Sequence, residues 1–401
     1  MVKVPDTIVD IERIAAGGEG IGRLDGKAVF VRLTAPGDRI RCRITGEHKT
    51  WARAELTEIL APSPERVTPP CPHYGICGGC EFQHLNYEAQ IAAKTAILKD
   101  AFTRISGIQP PEPEIFPSAP FEYRNRMQFH LAKEQRAKSK EQGTGNTGIV
   151  RPEYAAGLKA RKSAEVIPIS DCPIAVPGIR SFLRNAAPGL APIAAAKERF
   201  TVFSHADVFL SEGGIEQGKI SLLERELYLD VSVFFQSNTA MLEKAIRDLQ
   251  RIAASADHRA PMADLYCGAG TFAAFLGEGF PRIDLLEENP QALALARKNM
   301  EGASGAVEFF QIPDKAWPAL QRRDHSFIIA DPPRQGLAPN LAASLAAGGP
   351  PVFAYLSCDP ASLARDSKIL CSGGYRLSSL ALYDFYPQTS HIESLAVFLR
   401  Q

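Results

Sequence analysis

Short apolar strands alternate with helical segments from about Ser237 to the end of the sequence. This alternation is typical of βαβ units, which place helices on both faces of a mostly parallel sheet. In such sheets, ligands bind at the edge formed by the carboxyl ends of the strands. The sequence therefore predicts a doubly wound, Rossmann-like α/β domain over residues 236–401, with its chemistry at the strand ends.

The first sixty or so residues have a different pattern, in which β-rich runs such as residues 28–31 and 40–44 are separated by glycine turns. About five strands in this length predict a small OB-like barrel over residues 1–62. A proline-rich break, APSPERVTPPCP, follows the barrel. Residues 63–235 are predicted to form a central mixed α+β domain, which contains a helix over residues 87–105.

The length and composition limit the class of protein. A chain of 401 residues is longer than one core usually holds, and 45% hydrophobic with 22% charged residues excludes a disordered, fibrous or membrane-embedded protein. No segment approaches the roughly 18 apolar residues of a spanning helix, and the N-terminus lacks the apolar core of a signal peptide. We therefore expect a cytoplasmic protein, a monomer, whose eight cysteines are ligands or nucleophiles rather than disulfides.

Charge is segregated along the chain although the formal net charge is zero. Residues 123–162 carry ten Lys or Arg against three Asp or Glu, a local net charge of +7, whereas residues 263–401 carry eleven against fourteen. A basic face of this kind suits contact with a phosphate backbone, and a solvated surface is the simpler interpretation. The candidate phosphate contacts are Arg124, Arg126, Lys159, Arg161 and Lys162.

Three cysteines lie close together in CPHYGICGGC, with small residues that let the backbone wrap around a metal centre. Cys71, Cys77 and Cys80 lack a fourth ligand nearby, and Cys172 in SDCP is the best distant candidate. Four thiolates suit either zinc or an iron–sulfur cluster. Three clustered cysteines with one remote favour the cluster, while zinc, or buried cysteines without a metal, stay open.

Acidic residues and a glycine turn follow neighbouring apolar strands of the α/β domain. The turn in ADLYCGAGTF lets a ligand approach backbone N–H groups, and Glu287 lies nineteen residues after Gly268, where a carboxylate can bind ribose hydroxyls. Asp331 in FIIADPPR follows a further strand, although a strand ending in a proline turn would give the same pattern. The turn has too few glycines for a dinucleotide site, so the pattern favours an S-adenosylmethionine enzyme.

A cysteine and a glutamate are the candidates for catalysis. Cys358 lies between an apolar strand and a predicted helix, where a helix N-terminus lowers the pKa of a thiol and favours the attacking thiolate. Glu393 precedes the last strand and faces the same way as His391. It is a candidate general base, although it would equally cap the sheet.

Taken together, these segments resemble the uracil-5-methyltransferases of ribosomal and transfer RNA, in the branch with an N-terminal TRAM domain and a [4Fe-4S] cluster. The resemblance covers essentially the whole chain. It is carried by the TRAM-like barrel, CPHYGICGGC with Cys172, FQSN at residues 235–238, DLYCGAGTF, ADPPRQG, SCDPASLARD and HIES.

The resemblance implies a role for each of these residues. Cys358 would be the nucleophile that adds to uracil C6, and Glu393 the base that removes the C5 proton. The cluster would be held by Cys71, Cys77, Cys80 and Cys172. The S-adenosylmethionine pocket would be lined by Gln236, Tyr266, Thr271, Glu287 and Asp331. Asp314 is not included, because its loop does not match the family's usual cofactor contact.

The resemblance also implies an RNA partner, with stacking contacts expected from Tyr123, Phe129 or Phe235. Because barrel and cluster occur together, we expect 23S ribosomal RNA as the substrate, with uridine 54 of transfer RNA as the alternative. An RNA cytosine-5-methyltransferase also uses a cysteine at C6, but it usually carries a second cysteine near the acidic motif, and none follows Asp331 here. A non-catalytic iron–sulfur RNA-binding protein would leave Cys358 and Glu393 unexplained.

Overall fold

The N-terminal strands close into a barrel in the computed structural model of the protein, which describes residues 6–133, 154–185, 198–322 and 324–401. The strands are β1 (Thr7–Ile14), β2 (Gly20–Leu24), β3 (Lys27–Val31), β4 (Arg39–Glu47) and β5 (Trp51–Ala61). They pair in the order β1-β2-β3-β5-β4, and β4 pairs back to β1. Alternate side chains, among them Val9, Val31 and Ile40, fill the interior. The predicted barrel is confirmed.

A helix follows the cysteine segment. The helix α1 (Tyr87–Ala101) begins at Asn86, whose side chain accepts a hydrogen bond from the Ala89 N–H at 2.8 Å, satisfying a free donor of the first turn. It continues into a π-helical turn, Phe102–Ser106, which ends at Gly107 in the left-handed region. The predicted helix over residues 87–105 is therefore confirmed.

The middle of the chain forms an antiparallel sheet and a hairpin. Its elements in chain order are β6 (Glu114–Phe116), β7 (Arg126–Lys133), β8 (Tyr154–Lys159), β9 (Val166–Pro168), α2 (Pro177–Asn185), β10 (Arg199–His205), β11 (Val208–Ser211), β12 (Gln217–Leu222) and β13 (Arg225–Asp230). Five of these strands pair in the order β11-β10-β7-β8-β9, and β12 and β13 form a hairpin. Half of the predicted basic run, residues 134–153, lies outside the described residues.

The C-terminal part is the predicted α/β unit. Its elements are α3 (Thr239–Ala253), β14 (Met262–Leu265), α4 (Thr271–Leu276), β15 (Arg282–Leu286), α5 (Pro290–Asn299), β16 (Ala306–Phe310), a 3-10 helix (Asp314–Leu320), β17 (Phe327–Ala330), α6 (Pro339–Gly348), β18 (Val352–Ser357), α7 (Pro360–Ser372), β19 (Tyr375–Tyr383) and β20 (Glu393–Arg400). The sheet order is β16-β15-β14-β17-β18-β20-β19-β6.

The direction of the strands gathers their ends at one edge. The strands β14 to β18 are mutually parallel, whereas β20 runs antiparallel between β18 and β19. The start of β20 therefore lies beside the end of β18. The short strand β6, from the predicted central segment, pairs with β19 and completes the sheet. The predicted boundaries at residues 62 and 235 stay a prediction.

No helix within the described ranges is long and apolar enough to cross a membrane.

A fully buried ion pair joins α1 to the loop that follows β19. Lys94 Nζ lies 2.6 Å from Asp384 Oδ1, and neither side chain is exposed to solvent. The ammonium also donates to the Tyr386 carbonyl at 2.9 Å, and the Tyr87 hydroxyl donates to Asp384 Oδ2 at 2.8 Å. These extra hydrogen bonds offset the cost of removing both charges from water.

Removing one partner of this pair should be strongly destabilising. We expect Lys94→Met to lower the free energy of unfolding by about 3–5 kcal/mol, because Asp384 is left as an unpaired buried charge. Lys99→Met, on the same helix, removes an exposed pair with Glu112 and should cost less than about 1 kcal/mol. Urea unfolding followed by circular dichroism measures both, and equal losses would contradict the role of the buried pair.

Candidate active site

One large cavity opens at the carboxyl edge of the parallel strands, with a volume of about 1130 Å³. Both predicted catalytic residues and all five predicted cofactor-binding residues line it: Cys358, Glu393, Gln236, Tyr266, Thr271, Glu287 and Asp331. They come from segments as far apart in sequence as Gln236 and Glu393, and the sheet topology brings them together.

The glycine turn after β14 forms one wall of the cavity. Gly268 and Gly270 have φ values of 54° and 75°, a region that suits glycine. A Cβ on Gly270 would also lie 3.1 Å from the backbone of Ala296 on α5, so the residue permits close packing of the turn. Tyr266 and Thr271, on either side of the turn, thereby reach the cavity.

Glu287 is held in a fixed orientation beside this turn. Its Oε2 accepts a hydrogen bond from the Gly268 N–H at 3.0 Å, and its Oε1 accepts one from the Asn289 N–H at 2.7 Å. A carboxylate has about four acceptor positions, so both oxygens retain capacity for hydroxyl donors. The residue is thus oriented as a ribose-binding acid requires.

Asp314 also lines this cavity, although the prediction left it out. Its Oδ2 accepts hydrogen bonds from the Tyr266 hydroxyl at 2.5 Å and from the Ala338 N–H at 3.0 Å. It therefore fixes the ring of a residue that was predicted to bind the cofactor. The sequence signal that could have identified Asp314 is its position shortly after β16, at the same edge of the sheet as Glu287.

Gln236 and Asp331 form a partly buried polar pair at the same cavity. Gln236 Nε2 donates to Asp331 Oδ2 at 3.3 Å. Burial raises the pKa of Asp331 to about 7, and the hydrogen bond from Gln236 opposes this shift. Gln236 Oε1 is buried and has no hydrogen-bond partner among the residues that the structure describes. An unpaired buried acceptor at a cavity wall points to a donor on a ligand.

Cys358 follows β18 directly and precedes α7, as predicted, but its ionisation is the opposite of the prediction. Burial, followed by the charges of Glu393 and Asp331, raises the pKa of Cys358 to about 12, and Arg334 opposes them. The lowered pKa expected from the helix N-terminus was therefore wrong for the ligand-free site. Poor solvation, and after it the two carboxyl groups, disfavour the thiolate here.

Glu393 is 3% exposed and begins β20, on the strand next to Cys358. Burial, together with the charge of Asp331, raises the pKa of Glu393 well above its usual range. His391 lies at the same cavity, and its Nδ1 is 3.1 Å from Arg334 Nη2. In the ligand-free site, burial therefore disfavours the charged forms of both the Cys358 thiol and the Glu393 carboxyl group.

The aromatic residues predicted to stack on RNA are mostly core residues. Tyr123, Phe129 and Phe235 are at most 6% exposed, and the Tyr123 hydroxyl donates to the Pro387 carbonyl. The neighbouring Phe234 is instead 60% exposed at the cavity, with the Arg126 guanidinium 5.8 Å from its ring centre. The aromatic side chain that is accessible for stacking is thus Phe234, the neighbour of the predicted Phe235.

The predicted phosphate contacts fall into different environments. Arg124 and Arg126 line the cavity, and Lys159 and Lys162 are exposed. Arg161 instead forms an ion pair with Glu81, and its side chain is 16% exposed. Arg161 is therefore a structural residue in this arrangement rather than a free surface cation.

A second cavity, of about 120 Å³, is lined by all four predicted ligand cysteines: Cys71, Cys77, Cys80 and Cys172. None of the four forms a disulfide in the described parts of the chain. Burial raises the pKa of Cys80 to about 12 and that of Cys172 to about 11, and Arg124 opposes both shifts. As placed, no three His, Cys, Asp or Glu side chains within the described ranges could hold one metal ion.

Comparison with known proteins agrees with this architecture. Residues 8–57 match the TRAM domain, residues 242–347 the methyltransferase small domain, and residues 304–401 the tRNA (Uracil-5-)-methyltransferase family. The Pyrococcus abyssi tRNA (uracil-54, C5)-methyltransferase, solved with S-adenosyl-L-homocysteine, has the same fold. Its TM-score is 0.70 at 23% identity, covering 98% of this chain and 100% of that one.

Two relatives match nearly end to end. An uncharacterised RNA methyltransferase of Treponema denticola is 31% identical over 98% of both chains. The 23S rRNA (uracil(1939)-C(5))-methyltransferase RlmD of Edwardsiella ictaluri is 30% identical, over 98% of this chain and 95% of its own. The chain therefore belongs to the RNA uracil-5-methyltransferase family, in the branch that carries an N-terminal TRAM domain.

Proposed function

We propose that the protein transfers a methyl group from S-adenosylmethionine to C5 of a uridine in 23S ribosomal RNA. The observation that carries this proposal is the meeting of a thiol, a buried carboxyl group and a ribose-oriented carboxylate in one cavity. Cys358, Glu393 and Glu287 all line it. Because they come from one chain, we also propose that the protein acts as a monomer.

The chain's own residues explain how an unreactive carbon is activated. Uracil C5 is a weak nucleophile, and addition of the Cys358 thiolate to C6 concentrates negative charge on C5. S-adenosylmethionine, when bound, supplies an electrophilic methyl group on a positively charged sulfur, whose charge offsets the surrounding carboxylates. Glu393 then removes the C5 proton, and breaking of the bond between Sγ and C6 releases the product.

The remaining cavity residues bind and orient the two substrates. Glu287 accepts from the ribose hydroxyls of the cofactor, and Tyr266, held by Asp314, and Thr271 form the wall beside it. Gln236 has an unpaired buried carbonyl for a ligand N–H group. The target base must leave its stack to reach Cys358 at this depth.

The choice of ribosomal RNA rests on sequence similarity. The RlmD protein of Edwardsiella ictaluri, named for uridine 1939 of 23S ribosomal RNA, is 30% identical over nearly the full length. The Pyrococcus abyssi enzyme, named for uridine 54 of transfer RNA, shares the fold at only 23% identity. Transfer RNA is therefore the alternative substrate.

We further propose that Cys71, Cys77, Cys80 and Cys172 hold a [4Fe-4S] cluster. Support comes from the thiols themselves, which surround a shared space of about 120 Å³ rather than converging on a point. Zinc–sulfur bonds are only about 2.3 Å long, so a single zinc ion would need a tighter arrangement. Methyl transfer involves no net electron transfer, so we assign the cluster a structural role.

The RNA target is tested by mapping 5-methyluridine in ribosomal and transfer RNA from cells that lack the protein. We expect one position in 23S ribosomal RNA to lose its methyl group and to regain it with the wild-type gene. Complementation with Cys358→Ala should not restore it, whereas Cys371→Ala, which changes a cysteine outside both cavities, should. Loss in transfer RNA would correct the substrate, and no loss anywhere would overturn the function.

The roles of Cys358 and Glu393 are distinguished by trapping the covalent complex between Cys358 and the RNA. We expect Glu393→Gln to form a covalent complex with substrate RNA that survives denaturing electrophoresis, because the C5 proton is not removed and Cys358 is not released. The double variant with Cys358→Ala is the control and should give no such complex. Normal turnover by Glu393→Gln, with no complex, would contradict its role as the base.

The cluster is tested by removing the remote cysteine. We expect Cys172→Ala to lower iron and sulfide per chain and to remove the brown visible absorbance of the purified protein, since one of four thiolates is lost. Cys371→Ala is the matched control and should keep both. Zinc in place of iron in the wild-type protein, or unchanged iron in Cys172→Ala, would contradict the assignment.

A further inference from the structure

The loop that leads into Glu393 is held by the segment that follows the cysteines. Residues 384–392 connect β19 to β20, and Tyr386, His391 and Glu393 reach the active-site cavity from this region. The Gln388 carbonyl accepts from the N–H groups of both Glu81 and Phe82, at 3.1 and 2.9 Å. The middle of this loop is therefore held by residues some 300 positions earlier in the sequence.

Further hydrogen bonds fix the same loop. The Gln388 N–H donates to Gln90 Oε1 at 2.9 Å, and Gln90 Nε2 donates back to Gln388 Oε1 at 3.1 Å. Gln388 itself has φ 68°, a conformation that costs a non-glycine residue energy. The loop is thus kept in an unfavourable backbone conformation by its partners.

The side chain of Glu81 lies at the centre of these contacts. Its Oε2 accepts a hydrogen bond from the Ser390 N–H at 3.1 Å, three residues before Glu393. Its Oε1 forms the ion pair with Arg161 of the central sheet region. The Glu81 side chain is 12% exposed, so water screens these interactions only weakly.

The barrel contacts the same residue. Gly18, in the turn between β1 and β2, has φ 86°, and a Cβ built on it would lie 2.8 Å from Glu81 Cβ. The carbonyl of Gly17 accepts a hydrogen bond from Arg161 at 3.3 Å. Glu81 is also joined by its peptide bond to Cys80, so barrel, cysteine loop, central sheet and catalytic loop all lie next to Glu81 or its partner Arg161.

We propose that Glu81 is a positioning residue for proton removal. It holds Ser390, and through it the start of β20, so that the Glu393 carboxyl group reaches the C5 proton after Cys358 has added to the base. It also links this geometry to the barrel and to the cysteine loop. This inference rests on the proposed function, because it assigns Glu81 to one step of that reaction.

A positioning role and a purely structural role predict different kinetics. If Glu81 only stabilised the fold, its loss would lower the amount of active enzyme without changing which step limits turnover. If it positions Glu393, addition of Cys358 stays fast while proton removal slows. The covalent RNA complex then accumulates during turnover, and replacing the C5 hydrogen by deuterium slows the reaction.

The test compares Glu81→Ala with Glu88→Ala in the full-length protein loaded with its cluster. Glu88 is exposed in the first turn of α1 and lines neither cavity, so the same substitution there controls for the loss of a nearby negative charge. For Glu81→Ala we expect kcat to fall on the order of 10- to 100-fold with little change in KM for RNA. A denaturant-resistant RNA complex and a primary deuterium isotope effect should appear, and iron per chain should match the wild type.

A second variant keeps the inference testable if Glu81→Ala loses iron or fails to fold. Glu81→Gln retains the size of the side chain and an acceptor for the Ser390 N–H but loses the ion pair with Arg161. It should therefore accumulate less covalent RNA complex, and show a smaller deuterium isotope effect, than Glu81→Ala. A fall in kcat without the complex or the isotope effect in the folded variants would overturn the inference, as would wild-type kinetics in both. Absence of methyl transfer by the wild-type protein would instead overturn the proposed function.

Discussion

The ion pair between Lys94 and Asp384 determines where the segment after the cysteines lies on the α/β sheet. Moving two charges out of water costs several kcal/mol per ion, so the pair is favourable only in an arrangement that supplies further hydrogen bonds. Tyr87 and the Tyr386 carbonyl supply them here. The buried pair therefore specifies one docking position for α1, and the neighbouring contacts of Gln90 with Gln388 depend on that position.

The active-site cavity brings acidic groups into a poorly solvated environment. Asp331, Glu393 and Cys358 all line it, and the pKa of each is raised because burial disfavours its charged form. A positively charged ligand changes this balance, since it favours ionisation of every neighbouring acid. The chemistry of the cavity therefore suits a sulfonium cofactor, and the arrival of that cofactor favours the ionised forms that the reaction requires.

The sequence was sufficient for the residues whose positions follow from strand direction. Glu287, Asp331 and Cys358 each come directly after a parallel strand, so the fold alone brings them to one edge. Asp314 lies four residues after the end of β16, so only a looser form of this rule would have included it. The barrel and the long helix were predictable from turn spacing and periodicity.

Features that depend on packing could not be predicted in this way. Whether Phe234 or Phe235 faces solvent depends on which ring packs on Phe203 in the core. The ion pair of Arg161 with Glu81 joins segments 80 residues apart, and local composition showed only a basic run. The ionisation of Cys358 depends on carboxyl groups from two other strands, so the helix that follows it was a poor guide.

The burial that raises the pKa of Cys358 also bears on side reactions of this sulfur. The thiolate is the form that oxidants and alkylating agents attack, and burial disfavours it while no ligand occupies the cavity. The desolvation that holds back the nucleophile until its substrates bind therefore also protects the one sulfur that the proposed chemistry cannot replace.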